Sequence, residues 1–342
     1  MPVVGGLDIH RAQLTFDYVD LDSGEVCRGR IAAADREHLR QWLGRFADRW
    51  EVAFALEGCT GWRYVVEELQ RAGIEAHLAE PAETAARRGP KRRAKTDRSD
   101  AQLLRELLLE GRVPESWIPP QPVLEARALV RLSKDLLEER TGWWQRVHAG
   151  MFHMGAPVLP VKTMSPDGRG RMSEAQLSPA TRTAVAVGMS QVDRLTADMV
   201  RLREQLATIS RRQPACRALQ AAHYGVGPLI SVAIWSEMGD TRRFHSSDDA
   251  VRHAGLDVTV YSCDGRRTGG RLARQGPVAL RWALYEAAVY AGRSGSPDHP
   301  YFLQVNNRLD GQLALLSVAR KLARRCHHTL RGLGDQVLAA AA

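Results

Sequence analysis

Four carboxylates set the chemical question in this sequence: Asp8, Glu57, Asp97 and Asp100. Asp8 and Glu57 each lie at the end of a short apolar run, the pattern of an acid at the mouth of a buried strand. Asp97 and Asp100 are three residues apart, so a single helical turn would put both on one face. Taken singly, each acid reads as structural, because an Asp after a strand caps turns and Asp97 suits a helix N-cap. Taken together, four crowded carboxylates would repel one another, and divalent cations relieve that repulsion. Oxygen ligands select Mg²⁺ or Mn²⁺. Two such ions roughly 3.5–4 Å apart can clamp the attacking and leaving oxygens of a phosphodiester. All four acids are therefore candidate metal ligands and candidate catalytic residues. His10, beside Asp8, is in reach of the metal site, but a surface or packing role is favoured over that one.

The elements needed to bring these acids together are legible. Residues 3–9, 13–19 and 26–31 read as three strands, with Asp22-Ser23-Gly24 as a hairpin turn between the second and third. Residues 35–46 place Leu39, Trp42, Leu43 and Phe46 at helical spacing. A buried strand over 52–56, an amphipathic helix over 62–72 stopped by Gly73, and a strand over 74–78 follow. The order β-β-β-α-β-α-β is ribonuclease H-like, and it allows Asp8 and Glu57 to sit on neighbouring strand ends. A helix over 97–110, with Leu103, Leu104, Leu107 and Leu108 on its apolar face, would lean Asp97 and Asp100 over them.

Lys and Arg number 48 against 39 Asp and Glu, and the resulting charge of +9 favours a polyanionic partner without deciding it. The basic residues are clustered. Residues 87–98 read RRGPKRRAKTDR, in which Lys91, Arg92, Arg93 and Lys95 form a loop that would steer nucleic acid toward the acids. A second group, Arg266, Arg267, Arg271 and Arg274, offers guanidinium forks suited to phosphate oxygens. Lys321, Arg324 and Arg325 on a late helix would add backbone contacts. The five cysteines are scattered with no CxxC, which argues against a disulfide framework or a zinc site. No signal peptide and no apolar stretch of membrane-spanning length is visible, so the expected location is cytoplasmic, with no membrane partner.

Four prolines over 114–122 mark a linker. Long helices over 124–148 and 181–210, separated by an irregular insertion over 156–180, suggest a helical hairpin or coiled coil. Beyond residue 214 the chain becomes Gly-punctuated and short-helical. Gly225 and Gly227 precede a helix over 229–237, where backbone N–H groups would suit a DNA phosphate.

Gly6-Leu7-Asp8-Ile9-His10, Leu56-Glu57-Gly58-Cys59-Thr60-Gly61 and Lys95-Thr96-Asp97-Arg98-Ser99-Asp100-Ala101 resemble the three acidic motifs of the DEDD insertion-sequence transposases of the "one-ten" family. Further along, Gly225-Val226-Gly227-Pro228, Glu237-Met238-Gly239-Asp240, Arg243-Phe244, Ala254-Gly255-Leu256-Asp257, Gln275-Gly276 and Leu280-Arg281-Trp282-Ala283-Leu284 resemble its C-terminal motifs in the correct order. The resemblance implies an α/β plus all-α fold. Its parts would be a RuvC-like nuclease domain over 1–115, a helical coiled-coil region over 116–215, and a C-terminal transposase domain over 216–342 with a helix-hairpin-helix-like Gly motif.

It also implies metal-dependent DNA cleavage and strand exchange through a serine–DNA covalent intermediate, a homo-oligomer (dimer or tetramer), and a structured guide RNA. The serine region departs from the family pattern and reads Tyr261-Ser262-Cys263-Asp264. Alignment favours Cys263 as nucleophile, whereas the hardness of phosphorus favours the hydroxyl of Ser262. Two other readings stay open: a RuvC-type Holliday-junction resolvase that uses water, and a catalytically impaired nucleic-acid-binding protein.

Overall fold

A computed structural model describes residues 2–87, 96–156, 166–258, 261–263, 266–268, 270 and 272–339. The chain falls into two compact units, Met1–Ile118 and Pro119–Ala342. The first is mixed α/β, built on a five-stranded sheet, and the second is mainly helical.

In the first unit, strands β1 (Pro2–Ile9), β2 (Leu14–Asp20) and β3 (Val26–Ile31) form an antiparallel meander. The β2–β3 turn is fixed by Asp20, whose Oδ1 accepts from the amides of Asp22 (3.0 Å) and Ser23 (3.3 Å), and by Gly24 at φ +72°. Helix α1 (Arg36–Leu43) leads to β4 (Glu51–Glu57), and α2 (Trp62–Arg71) leads to β5 (Glu75–Ala79). β4 pairs parallel to β1 and β5 parallel to β4, giving the order β3-β2-β1-β4-β5. A short α3 (Pro81–Ala86), not foreseen from the sequence, precedes α4 (Asp97–Leu109). The start of the proline-rich linker continues the sheet. The Ser116 amide donates to Leu78 O at 2.6 Å, and the Glu80 amide to Pro114 O at 2.9 Å.

Strand alternation divides the residues between two faces. Val3, Leu7 and Ile9 of β1, Leu14 and Phe16 of β2, and Val52, Phe54 and Leu56 of β4 join Leu39, Trp42, Leu43, Phe46, Val65, Val66 and Leu69 in the main core beneath α1 and α2. The opposite face carries Gly6 and Asp8, Ala55 and Glu57, and Thr15 and Asp17, and α4 covers it. Residues at the contact are small for a reason. A Cβ at Gly6 would lie 2.1 Å from Ala101 O and 2.8 Å from Arg105 N, so only glycine lets the helix rest on β1.

In the second unit, α5 (Gln121–His153) and α7 (Pro179–Arg212) are the long helices. Buried residues on α7 fall at Val185, Gly188, Val192, Leu195, Met199, Leu202 and Leu206, the alternating three–four spacing of a heptad seam. Gly188 faces Val147 while Gly150 faces Thr181 and Val185, so the two helices run antiparallel. The segment between them, read from sequence as irregular, contains helix α6 (Pro166–Glu174), whose Met172 packs with Val147, Met151 and Val185. Next come α8 (Pro214–Ala222), α9 (Pro228–Met238) and α10 (Ser247–His253). A strand pair β6 (Tyr261–Cys263) and β7 (Arg266–Thr268) precedes α11 (Val278–Val289), α12 (His299–Asn306) and α13 (Gly311–Gly332). The 22-residue α13 corrects the expectation of short helices throughout this part. No described helix is long and apolar enough to cross a membrane.

Candidate active site

Register brings the first two acids together. The last pair of the parallel β1–β4 ladder is Leu7 with Leu56, which puts Asp8 and Glu57 one position beyond on adjacent strands and on the same face. Gly6 then fixes where the other two lie. Ala101 and Arg105 pack over Gly6, and the preceding turn of α4 carries Asp97 and Asp100 past the Asp8 end of β1. All four acids line one cleft of about 810 Å³, together with Ile9, His10, Arg11, Ala34 and the 59–61 turn with Tyr64.

The N-cap of α4 is Thr96, not Asp97. The Thr96 hydroxyl accepts from the Ser99 amide at 3.2 Å while Ser99 Oγ accepts from the Thr96 amide at 3.1 Å, a reciprocal capping box. Asp97, released from capping, turns to the cleft. Farther along the helix, Arg105 Nε donates to Asp17 Oδ1 at 2.6 Å, and Arg28 Nε donates to Asp17 Oδ2 at 2.7 Å. Asp17 is fully buried, so this paired charge anchors α4 to β2 and sets the helix register above the acids.

His10 was undervalued in the sequence. Its Nε2 lies 2.9 Å from Asp8 Oδ2 and 3.2 Å from Asp97 Oδ1, and Gln13 Nε2 donates to Asp97 Oδ2 at 3.3 Å. The tight β1–β2 turn, in which the His10 amide donates to Gln13 O at 3.0 Å, folds both side chains back toward the acids.

Burial pushes the Asp8 carboxyl above its ordinary range. His10 opposes that shift, and the charges of Asp100 and Asp97 add to it. The Cys59 thiol at the cleft wall is also pushed up by burial. A divalent cation fits this donor set: one ligand atom each from Asp8, His10 and Asp97 lies within 4.8 Å of the others. The further carboxylates of Asp100 and Glu57 line the same space. Such a cation would offset the burial of the Asp8 charge and its repulsion by Asp100 and Asp97.

Lys91, Arg92, Arg93, Lys95 and Arg271 lie outside the described residues. In the second unit, Ser262 and Cys263 occupy β6, paired with Arg267 and Arg266 of β7. The base of this ribbon is tightly determined. A Cβ at Gly255 would meet Gln275 O at 2.2 Å, and one at Gly276 (φ +96°) would meet His253 O at 2.0 Å, so the two glycine motifs cross backbone on backbone. Ala273 N donates to Asp257 O at 3.1 Å just above that crossing. Arg274 is exposed at φ +55°.

Gly225, at φ +84°, turns the chain from α8 into α9, and a Cβ there would sit 2.7 Å from Ala287 O. Gly227 is the N-cap of α9, in extended conformation with open space around it. Glu237 is buried at the end of α9 against Arg127 (3.3 Å) and Arg131 (3.2 Å). Arg243 lies 3.2 Å from His253, whose pKa burial and that guanidinium bring down to about 4. Arg324 and Arg325, expected to reach for nucleic acid, pair with Asp248 (2.7 Å) and Asp298 (2.5 Å).

Comparison with known proteins matches two transposase families along the chain. Residues 5–153 match the DEDD transposase family of the IS110 type, described as a transposase, and residues 218–303 match the transposase IS116/IS110/IS902 family. The chain is 27% identical over 318 residues to y4rJ of Sinorhizobium fredii, a protein provisionally named as a transposase, covering 82% of this chain and 78% of that one. It is 21% identical over 274 residues to the transposase for insertion sequence element IS1111A of Coxiella burnetii, covering 76% and 71%.

Proposed function

Because this chain belongs to the IS110 family of DEDD transposases, we propose that the acidic cleft of its first unit is where DNA strands are cut and rejoined. The observation that carries this reading is the convergence of Asp8, Glu57, Asp97 and Asp100 on one cleft, from two strand ends and one helical turn. The sheet order β3-β2-β1-β4-β5 supports assigning residues 1–115 as a RuvC-like domain. Residues 116–215 are then a helical arm and 216–342 the transposase domain.

The carboxylates would hold Mg²⁺ or Mn²⁺, which would supply charge neutralisation and Lewis acidity at the phosphodiester. Asp8 and Glu57 hold from the strand ends, and Asp97 and Asp100 from α4, with His10 and Gln13 orienting Asp97. Ser262, or Cys263 in its place, is the nucleophile, contributed by a second copy in a homo-oligomer. Its side chain forms a bond to phosphorus as the bond to one DNA oxygen breaks, and its proton ends on the departing hydroxyl. One phosphodiester is exchanged for another, so the covalent protein–DNA link conserves the bond energy needed for rejoining. Gly225, Gly227, Lys91, Arg92, Arg93, Lys95, Arg266, Arg267, Arg271 and Arg274 contact nucleic acid, including a structured guide RNA from the element.

The test is strand exchange on element-end DNA with Asp8→Asn, Ser262→Ala and Cys263→Ala, together with trapping and peptide mapping of a covalent DNA adduct. Asp8→Asn and one of the other two abolish exchange, and the adduct maps to that position. Full cutting by both nucleophile variants would point instead to water, as in a resolvase. A parent protein that binds but never cuts in either metal would leave only the binding reading.

A further inference from the structure

Beside the acidic cleft, and sharing Asp97 with it, runs a second groove of about 540 Å³ lined by Thr15, Phe16, Arg28, Gly29, Arg30, Thr96, Asp97 and Arg98. Three arginines line it from two sides. Arg28 and Arg30 alternate on β3, the edge strand of the sheet, and Arg98 stands on the first turn of α4. The pairings Thr15 with Arg30 and Asp17 with Arg28 place both β3 arginines on the face that α4 covers.

Among the described residues, Arg30 and Arg98 make no ion pair and both are exposed. Arg28, which also lines the groove, is engaged through Nε with buried Asp17, and a guanidinium keeps further donors on its terminal nitrogens. Thr15, only 4% exposed, has its hydroxyl buried with no hydrogen-bond partner at the groove floor. Two things at the helix end favour negative charge: the N-terminal end of the helix dipole, and amides of Asp97 and Arg98 that the capping box does not use.

We propose that this groove binds the phosphodiester backbone of the DNA strand being cut, at phosphates flanking the one presented to the acids. The inference rests on the acidic cleft being the place of cleavage. The chemistry is complementary: guanidinium forks and a helix N-terminus take phosphate oxygens, and the Thr15 hydroxyl lies unpartnered beneath them. Continuity through Asp97 aligns the bound strand with the cleft. The arginines lie on a paired strand and a helix, which fixes the backbone that carries them.

The test measures binding of the full-length protein to a fluorescein-labelled DNA duplex by anisotropy across a salt series, using an Arg30→Ala, Arg98→Ala double variant. Both side chains are exposed, and an unchanged thermal midpoint verifies the fold. We expect binding to weaken by about five-fold or more near 0.1 M salt, and the slope of log affinity against log salt to fall by about two, one per lost phosphate contact. The Arg30→Lys, Arg98→Lys variant recovers most of that slope.

Unchanged affinity and slope would overturn the proposal. So would a loss confined to an RNA strand of the same sequence, which would assign the groove to RNA. Asp8→Asn serves as the independent arm and is read by cleavage alone: if it retained cleavage the acidic-cleft reading would fail while the groove result stood.

Discussion

Gly6 and Ala101 are in backbone contact: a methyl group on Gly6 would come within 2.1 Å of the Ala101 carbonyl oxygen. This closeness sets the height of α4 above the sheet and therefore the distance from Asp100 to Asp8. Gly6→Ala must lift or tilt the helix. Overpacking of this kind costs about 1–3 kcal/mol, read as a fall in the denaturant midpoint. Metal-dependent strand cleavage is expected to fall much further than stability, because the acids separate. Parent-like cleavage in a Gly6→Ala protein would show that α4 does not position the site.

Divalent metal should stabilise the folded chain through the same acids. At a hundred-fold excess over its dissociation constant, a ligand that binds only the native state adds about 2.7 kcal/mol. We expect Mn²⁺ or Mg²⁺ to raise the thermal midpoint of the parent, and Asp8→Asn to show little of that rise. Calorimetry with and without metal checks it, and an equal rise in the variant would remove Asp8 from the ligand set.

His253 gives the second unit an acid sensitivity. Burial and the neighbouring Arg243 hold its folded pKa at about 4, below the ordinary 6.5. The unfolded chain therefore binds a proton that the folded chain refuses between those values. Stability from this group is complete above pH 6.5 and is lost as pH falls toward 4. The difference is about 3 kcal/mol at most. His253→Gln should flatten that part of the stability–pH curve. A variant with the parent's slope would place the titration elsewhere.

Two glycines of one motif should behave differently. Gly225 combines φ +84° with a 2.7 Å approach to Ala287 O, whereas Gly227 has an extended backbone and open space. Gly225→Ala is expected to cost more than about 1 kcal/mol. Gly227→Ala is expected to cost less, limited to the loss of a favourable N-cap residue. Paired urea titrations decide it, and equal costs would contradict the conformational explanation.

The strand ends bearing Asp8 and Glu57 were legible because each closes a short apolar run, and Asp22-Ser23-Gly24 marks the turn between the second and third strands. The helix carrying Asp97 and Asp100 was legible from its leucine spacing. What the sequence hid was reciprocal or nonlocal. Thr96 and Asp97 are both good caps, and Ser99 decides between them by bonding back to the Thr96 amide. His10 reaches the acids through a turn closed by Gln13, which no periodicity marks. The Asp17–Arg105 anchor joins residues 88 positions apart. β6 and β7 are three residues each, too short for alternation to announce them. Helix α6 has weak amphipathicity and sits in a Pro- and Gly-bearing stretch, so its local preferences argue against the helix that packing stabilises.

The buried Asp17–Arg105 pair and the side-chain-free seat at residue 6 hold α4 in place without help from any ion. On the proposed reading the acidic pocket is thus preorganised, and a metal would meet its ligands already gathered. Chelation should then silence the protein without unfolding it, and re-addition of metal should restore function at once. This differs from small zinc modules, whose folding and loading are a single event.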